Sequence, residues 1–414
     1  MPASLAFVAL ILRLLPSTLS ISFPGLVTIS TVLFLVALAG YAVTSVLFLA
    51  RLLSPPNIRL RHRSLPLIER DSIKLGFVQY CPAGLALSAA AFGSFAVAEG
   101  RVPDRKGWAM AVYVCWWVSA ALMAFLGFFT LAVYMSHSTV LVRSKTAHGR
   151  GLPLVAVLEG VTGGATVALV GAVMCLPGAG VVAGFEGRER IVSDGMAAPV
   201  VVFSYCVVGA VLLLALMAYA VVVHELLLVT GWPPPELTSV MFYLVGPLGQ
   251  CAAALLVLGE AAGTGHYLGD LYRGNRSSPG LGIGVGIGEE EDMIRRKVSP
   301  LSPPLPAVPI GVISLLFAMM LFGMAVMWLV LALIAVGYRL HRGELVWNES
   351  WNGAIFPLLT LAVCSSWLSF ELQSGFFRIL TCVLIIICLV KFLVIVAFNA
   401  RLAVSSSVFR PSRQ

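Results

Sequence analysis

Residues 239–262 read SVMFYLVGPLGQCAAALLVLGEAA. The run is long enough to cross a bilayer, which takes roughly 20 apolar residues, yet Pro247 stands inside it. Proline has no N–H and breaks the helical hydrogen-bond ladder. In lipid the carbonyl left over must find a donor from protein or from water in a cavity. The same reading applies to Pro82, Pro153 and Pro357 in three other apolar runs. Counted along the chain, about ten such runs occur, and these prolines fall in the third, fifth, seventh and ninth. In the even-numbered runs proline stands only at the start, as Pro24, Pro199 and Pro309, or is missing. The odd helices are therefore expected to be broken and to face an interior, and the even ones to face lipid.

The apolar runs are 24–53, 75–99, 108–136, 152–184, 197–231, 239–262, 308–338, 351–372 and 376–402, with a shorter stretch at 3–20 that carries Arg13 and Pro16. That stretch has the apolar character of a signal peptide but lacks a basic start and a small-residue cleavage site; an incomplete first span is the preferred reading. With 59% hydrophobic and 11% charged residues and a mean hydropathy of +0.97, the chain is an all-α polytopic membrane protein. It forms a single transmembrane domain over 1–414, with an outer loop at 263–307 and a cytoplasmic tail at 405–414. The formal charge of +8 is read as loop charge, and no nucleic-acid partner is expected.

Lysine and arginine set the orientation. On one side fall Arg51, Arg59, Arg61, Arg63, Arg70, Lys74, Arg143, Lys145, Arg150, Arg339, Arg342, Arg401, Arg410 and Arg413. The other side has Arg101, Arg105, Lys106, Arg188, Arg190 and Arg378 in its short loops. The first side is cytoplasmic, and both termini lie there. The 263–307 loop is Gly-, Ser- and Pro-rich. Its Gly282, Gly284, Gly286 and Gly288 precede an acidic run, not a Lys-Ser/Thr helix, so a linker is favoured over a phosphate loop. Asn275-Arg276-Ser277 is a glycosylation acceptor on the outer side.

Ionisable groups inside spans are the first functional suspects. Glu159 follows Pro153 and precedes the small residues Gly160, Thr162, Gly163 and Gly164; it is either a proton-sensitive pore group or a structural partner. His224, Glu225 and Glu260 lie near span ends, where water is within reach. Lys391 lies within the last span, on a lipid-side helix, and is accounted for by snorkelling or by pairing. In the aromatic pair Trp116-Trp117 the adjacent rings point to different helix faces, so at least one is assigned to packing or to anchoring at the membrane interface. The eight cysteines sit in or beside apolar runs without CxxC spacing, so neither a disulfide framework nor a metal site is expected, nor any cofactor. No nucleophile–base set or ATP-binding motif occurs, and no enzyme activity is expected.

Five short motifs together resemble the tellurite-resistance and dicarboxylate transporter family, which includes fungal sulfite efflux pumps, malic acid permeases and plant slow anion channels. They are Leu75-Gly76 with Cys81-Pro82-Ala83-Gly84; Tyr113-Val114-Cys115-Trp116-Trp117; Leu152-Pro153; Pro234-Pro235 with Gly246-Pro247-Leu248-Gly249-Gln250; and Trp351-Asn352-Gly353-Ala354-Ile355-Phe356-Pro357. The fourth is similar to the sulfite pumps. The resemblance covers about residues 24–404. It implies five helical hairpins around a central pore, odd helices inside, in a homotrimer with one pore per subunit. It implies passage of a small anion, sulfite first, with a malate-type dicarboxylate permease or a non-transporting paralogue as alternatives. It also implies Phe356 as a gate, with Pro82, Gly84, Pro153, Gly246, Pro247, Gly249, Gln250 and Pro357 lining the path. The chain departs from the family pattern at Ala83, at Leu358-Leu359, and in the Met-Gly-rich first helix, where only residues 1–20 stand.

Overall fold

The structure is a computed structural model. It describes residues 25–53, 103–125, 194–226, 232–264, 307–346 and 351–405, apart from 123, 225, 234 and 352, together with a few helical positions within 5–13 and 85–97. Among these residues every regular element is helical. They are α1 (Leu26–Leu53), α2 (105–122), α3 (Asp194–His224), a 3-10 segment (Pro235–Leu244) running into α4 (Val245–Thr264), α5 (Ala307–His341), α6 (Ile355–Glu371) and α7 (Gly375–Ser405). Five of the described helices are long and apolar enough to cross a membrane, and α6 is a shorter apolar helix. The expected spans 24–53, 308–338 and 376–402 coincide with α1, α5 and α7 to within a few residues. Pro82, Gly84, Pro153, Glu159 and Asn275 lie outside the described residues, as do most of the 263–307 loop and the tail.

The helices fall into two classes by burial. In the span Met241–Glu260, which contains most of α4, 89% of the most apolar window is buried. The corresponding shares are 22% for α1, 33% for α3, 33% for α5 and 28% for α7. Every residue of α6 from Pro357 to Ser369 is buried. So the seventh and ninth spans are interior, and the second, sixth, eighth and tenth present apolar faces outward. Those faces carry Leu213, Met217, Met320, Phe376, Ile379 and Leu393, all mostly exposed. A helix that is apolar on every side and exposed on one suits lipid.

The helices pack through small residues, as membrane helices do when no hydrophobic effect drives them together. α4 lies against α5 where Gly259 meets Gly311 and Ser314. It lies against α6 where a Cβ on Gly246 would stand 3.6 Å from the Pro357 ring and one on Gly249 would stand 2.8 Å from Thr360 Oγ1. Two successive contacts with the same spacing mean that α4 and α6 run parallel and in register. Tyr205 of α3 hydrogen-bonds Ser314 of α5 at 3.0 Å, closing the outer layer over α4. α6 and α7 form a hairpin through Leu372–Ser374, where Gln373 takes a positive φ of 47°. Thr381 then bonds Ser365 at 2.9 Å. The short N-terminal stretch packs on α1. Ser30 donates to the Ala9 carbonyl at 2.8 Å, and Arg13 donates to the Val27 carbonyl at 3.3 Å and to Thr31 at 3.1 Å. It thus sits as the partner of the second span. At the far end of α5, Arg339 pairs with Glu344 and donates to the Pro233 carbonyl at 2.8 Å, tying α5 to the approach of the 3-10 segment.

A side chain at Gly249 has no room. Its Cβ would stand 2.8 Å from Thr360 Oγ1 and 3.2 Å from the Leu361 nitrogen. Gly249→Ala is expected to destabilise the protein by about 1–3 kcal/mol through overpacking. Gly323→Ala, where a Cβ meets nothing within 4 Å, should be neutral or stabilising by up to ~1 kcal/mol. Thermal unfolding of the two variants in detergent checks both.

Candidate functional site

The prolines of the two inner helices occupy the same place. Pro247 is the third residue of α4, and Pro357 is the third residue of α6. The break expected from sequence therefore takes the form of a late helix start instead of a bend halfway along. Ahead of α4 the chain is a ten-residue 3-10 run, long for a geometry normally used in pieces of three or four residues. Ahead of α6 it is the turn at Gly353–Ala354. Among the outer helices, Pro309 also sits third, in α5, whereas Pro199 is the sixth residue of α3 and lies inside it.

Three residues before each proline stands a carbonyl, that of Leu244 or Ala354. In the helix this carbonyl takes the N–H of Leu248 or Leu358, and the second, 3-10 pairing would need the N–H that proline lacks. In both cases an outer helix supplies a donor. The Tyr219 hydroxyl of α3 donates to the Leu244 carbonyl at 2.7 Å. The Lys391 ammonium of α7 donates to the Ala354 carbonyl at 3.1 Å. Of the two expectations for Lys391, pairing holds, and the side chain turns inward from a lipid-side helix. Its Nζ lies 4.1 Å from the centre of the Phe242 ring and 5.6 Å from that of Trp351. A cation over aromatic faces is favourable, the more so out of water. Tyr219 is itself backed by Trp328 of α5, ring centres 5.7 Å apart.

The two starts also touch each other. Phe242 and Trp351 have ring centres 6.2 Å apart, and Gly353 packs against the Tyr243 phenol so closely that no side chain fits there. The Trp351 indole donates to the Val346 carbonyl at 3.1 Å. Inside α6, the Thr360 hydroxyl lies 2.7 Å from the Pro357 carbonyl and 3.4 Å from the Gly246 carbonyl of α4. Ala354 gives α6 no side-chain cap, and Pro357 removes one of the N–H groups that a helix start leaves over.

The structure thus brings together Gly246, Pro247, Gly249, Phe356 and Pro357 of the residues singled out in the sequence. Gly246 and Gly249 face α6 as contact points. Phe356 is half-buried and packs against the core. Gln250 is 2% exposed, and among the described residues neither its amide nitrogen nor its oxygen meets a hydrogen-bond partner. Such a group carries a desolvation cost of about 1–3 kcal/mol, so an unpaired amide on an inner helix is a candidate ligand contact. Trp116 and Trp117 both pack: their ring centres are 4.7 Å apart and both approach Phe203 of α3. Sequence reasoning missed Tyr219, Phe242 and Thr360. Tyr219 carried a weak signal as a lone hydroxyl in an apolar run. Among the described residues no group of three His, Cys, Asp or Glu side chains gathers that could hold a metal.

A family model described as voltage-dependent anion channel (SLAC1) matches residues 1–400. The chain belongs to the voltage-dependent anion channel family. No curated protein and no solved structure gives a significant match. Membership makes this a multi-pass membrane protein whose class carries anions across the bilayer, in agreement with the resemblance drawn from the five motifs. In this family member the inner helices start side by side, each fixed at its break by a polar group from outside the pair. Tyr219→Phe removes one of those donors and leaves the Leu244 carbonyl with its intrahelical partner alone. A loss of about 1–2 kcal/mol in stability is expected, read by thermal unfolding against Tyr205→Phe, whose half-buried hydroxyl bonds a side chain instead of a break.

Proposed function

We propose that this channel-family protein lets small anions, sulfite first, leave the cytoplasm across the plasma membrane. The observation that supports this reading is the buried, in-register pair α4 and α6, with Phe356 in the first turn of α6 and the unpaired Gln250 amide on α4. A bulky ring at a narrow apolar point blocks ions by dewetting, and Phe356 takes that part. Gln250 offers N–H donors to a passing anion. Gly246, Gly249, Pro247 and Pro357 shape the wall by letting the two helices approach, and Pro82, Gly84 and Pro153 line the path from the third and fifth spans. Selectivity comes from diameter, backbone groups at the breaks and helix ends, not from a tight charged site, because a weakly held ion leaves quickly. At a potential near −100 mV, export of a monovalent anion is driven by about 2.3 kcal/mol. Passive flow is enough. Glu159 adds proton sensitivity, Asn275 carries an outer glycan, both termini are cytoplasmic, and the working unit is a trimer with one path per subunit.

A second reading, uptake of malate or a related dicarboxylate, is favoured by Lys391. A dianion needs a cationic anchor, and this ammonium reaches the start of α6 from α7. Cells lacking sulfite export separate the two. Restored growth on sulfite without malate uptake supports the first reading, and malate uptake without sulfite tolerance supports the second. Absence of any flux from vesicles that contain folded, trimeric protein points to a non-transporting paralogue. Phe356→Ala is expected to raise resting anion conductance by roughly tenfold if the ring is the obstruction. An unchanged conductance at equal surface expression would remove Phe356 from that role.

A further inference from the structure

The two breaks are capped by different chemistry. Tyr219 brings a neutral hydroxyl to the Leu244 carbonyl. Lys391 brings a full positive charge to the Ala354 carbonyl, two residues before Phe356. A hydroxyl would satisfy a carbonyl as well, and a charge inside a span is expensive, so the cation calls for a reason beyond hydrogen bonding. Its surroundings give one. The ammonium joins three elements at one point: its own helix α7, the 3-10 segment through the Phe242 ring at 4.1 Å, and the turn before α6 through Trp351 and the Ala354 carbonyl. The hairpin registers Lys391 to this level, since Thr381 bonds Ser365 further along the same pair of helices. Ala354 and Ile355 are fully buried, whereas Phe356 is half-buried. The latch therefore grips the backbone of the turn that carries the Phe356 ring.

We propose that Lys391 is a positioning residue for the gate: its ammonium, held between the Phe242 and Trp351 rings and the Ala354 carbonyl, fixes where the first turn of α6 holds Phe356. This rests on the reading of Phe356 as the obstruction. Movement of a gate needs a hold that is strong but not permanent. A cation–aromatic contact plus one charge-assisted hydrogen bond meets that need, because both are lost together by a small displacement of the lysine tip. A groove of about 360 Å³ beside the lysine, lined by Trp351, Ile386, Ile387, Val390 and Val394, leaves room for a longer cationic side chain. Arginine should therefore replace lysine here, whereas an uncharged side chain of equal length should not.

The test is resting chloride current through the full chain at matched surface expression, in four variants: Phe356→Ala, Lys391→Met, Lys391→Arg and the double variant Lys391→Met/Phe356→Ala. Lys391→Met is expected to raise the current about fivefold by releasing the first turn. Lys391→Arg should stay near the parent, and the double variant should match Phe356→Ala alone. That non-additivity is what a merely structural lysine would not produce. If Phe356→Ala raises current while Lys391→Met does not, the latch is wrong and the gate stands. If Lys391→Met acts equally with and without the Phe356 ring, the lysine works on something other than that gate, and the proposal falls. If Phe356→Ala changes nothing, the gate reading itself fails and takes the latch with it. Should Lys391→Met not reach the surface, Phe242→Leu carries the test, because it keeps an apolar side chain and removes the ring beneath the ammonium. A rise of about twofold supports the latch, and an unchanged current overturns it.

Discussion

A backbone carbonyl that proline deprives of its i+3 donor is the constraint on which this structure turns. In water a broken helix costs little, because solvent takes up the free groups; in lipid nothing does. Both inner helices of the described region carry proline as their third residue, and each proline withholds the i+3 donor from the carbonyl three residues upstream. The donors come from α3 and α7. The outer helices therefore do more than shield the inner pair from the bilayer. They supply the polar groups that make its irregular starts tolerable, and so they decide where those starts stand.

The same constraint explains the packing around it. A broken start is bulky, and two of them side by side need a wall without side chains. Gly353 meets the Tyr243 phenol, Gly246 meets Pro357, and Gly249 meets Thr360. Close approach of the backbones then lets Thr360 sit between the carbonyls of Pro357 and Gly246. The pair is held by many weak contacts and a few polar ones. The outer faces of α1, α3, α5 and α7 carry large apolar side chains that meet nothing in the described structure.

Much of this was legible in the sequence, and the parts that were not have a common cause. Proline at positions 247 and 357 pointed to interior helices, and burial bears that out for the seventh and ninth spans, although the outer helix α3 also carries Pro199 inside it. The class of the protein followed from five motifs, two of them around those same prolines. What stayed hidden depends on rotation of a helix about its axis. Lys391 reads as a lipid-side residue from its position, yet the turn of α7 aims it inward. Trp116 and Trp117 are adjacent and seemed to demand different surroundings, yet both reach Phe203 because indole rings are wide. The ten-residue 3-10 run could not be told from the start of an α-helix, since both place apolar residues three or four apart. Gly249 looked like an opening and is a contact, because a missing side chain serves either purpose.

The crossing of α4 and α5 has a consequence for how such a chain can change over time. Gly259 and Gly311, with Ser314, pin together the last turns of α4 and the first turns of α5, and the segment between those helices begins and ends there. Closing a loop whose ends are already fixed costs only about 0.6 kcal/mol for each doubling of its length. Residues 265–306 can therefore gain or lose sequence, or accept an inserted tag or whole module, with little effect on the helices beneath. Divergence among relatives should accumulate in that stretch and stop abruptly at the two glycines.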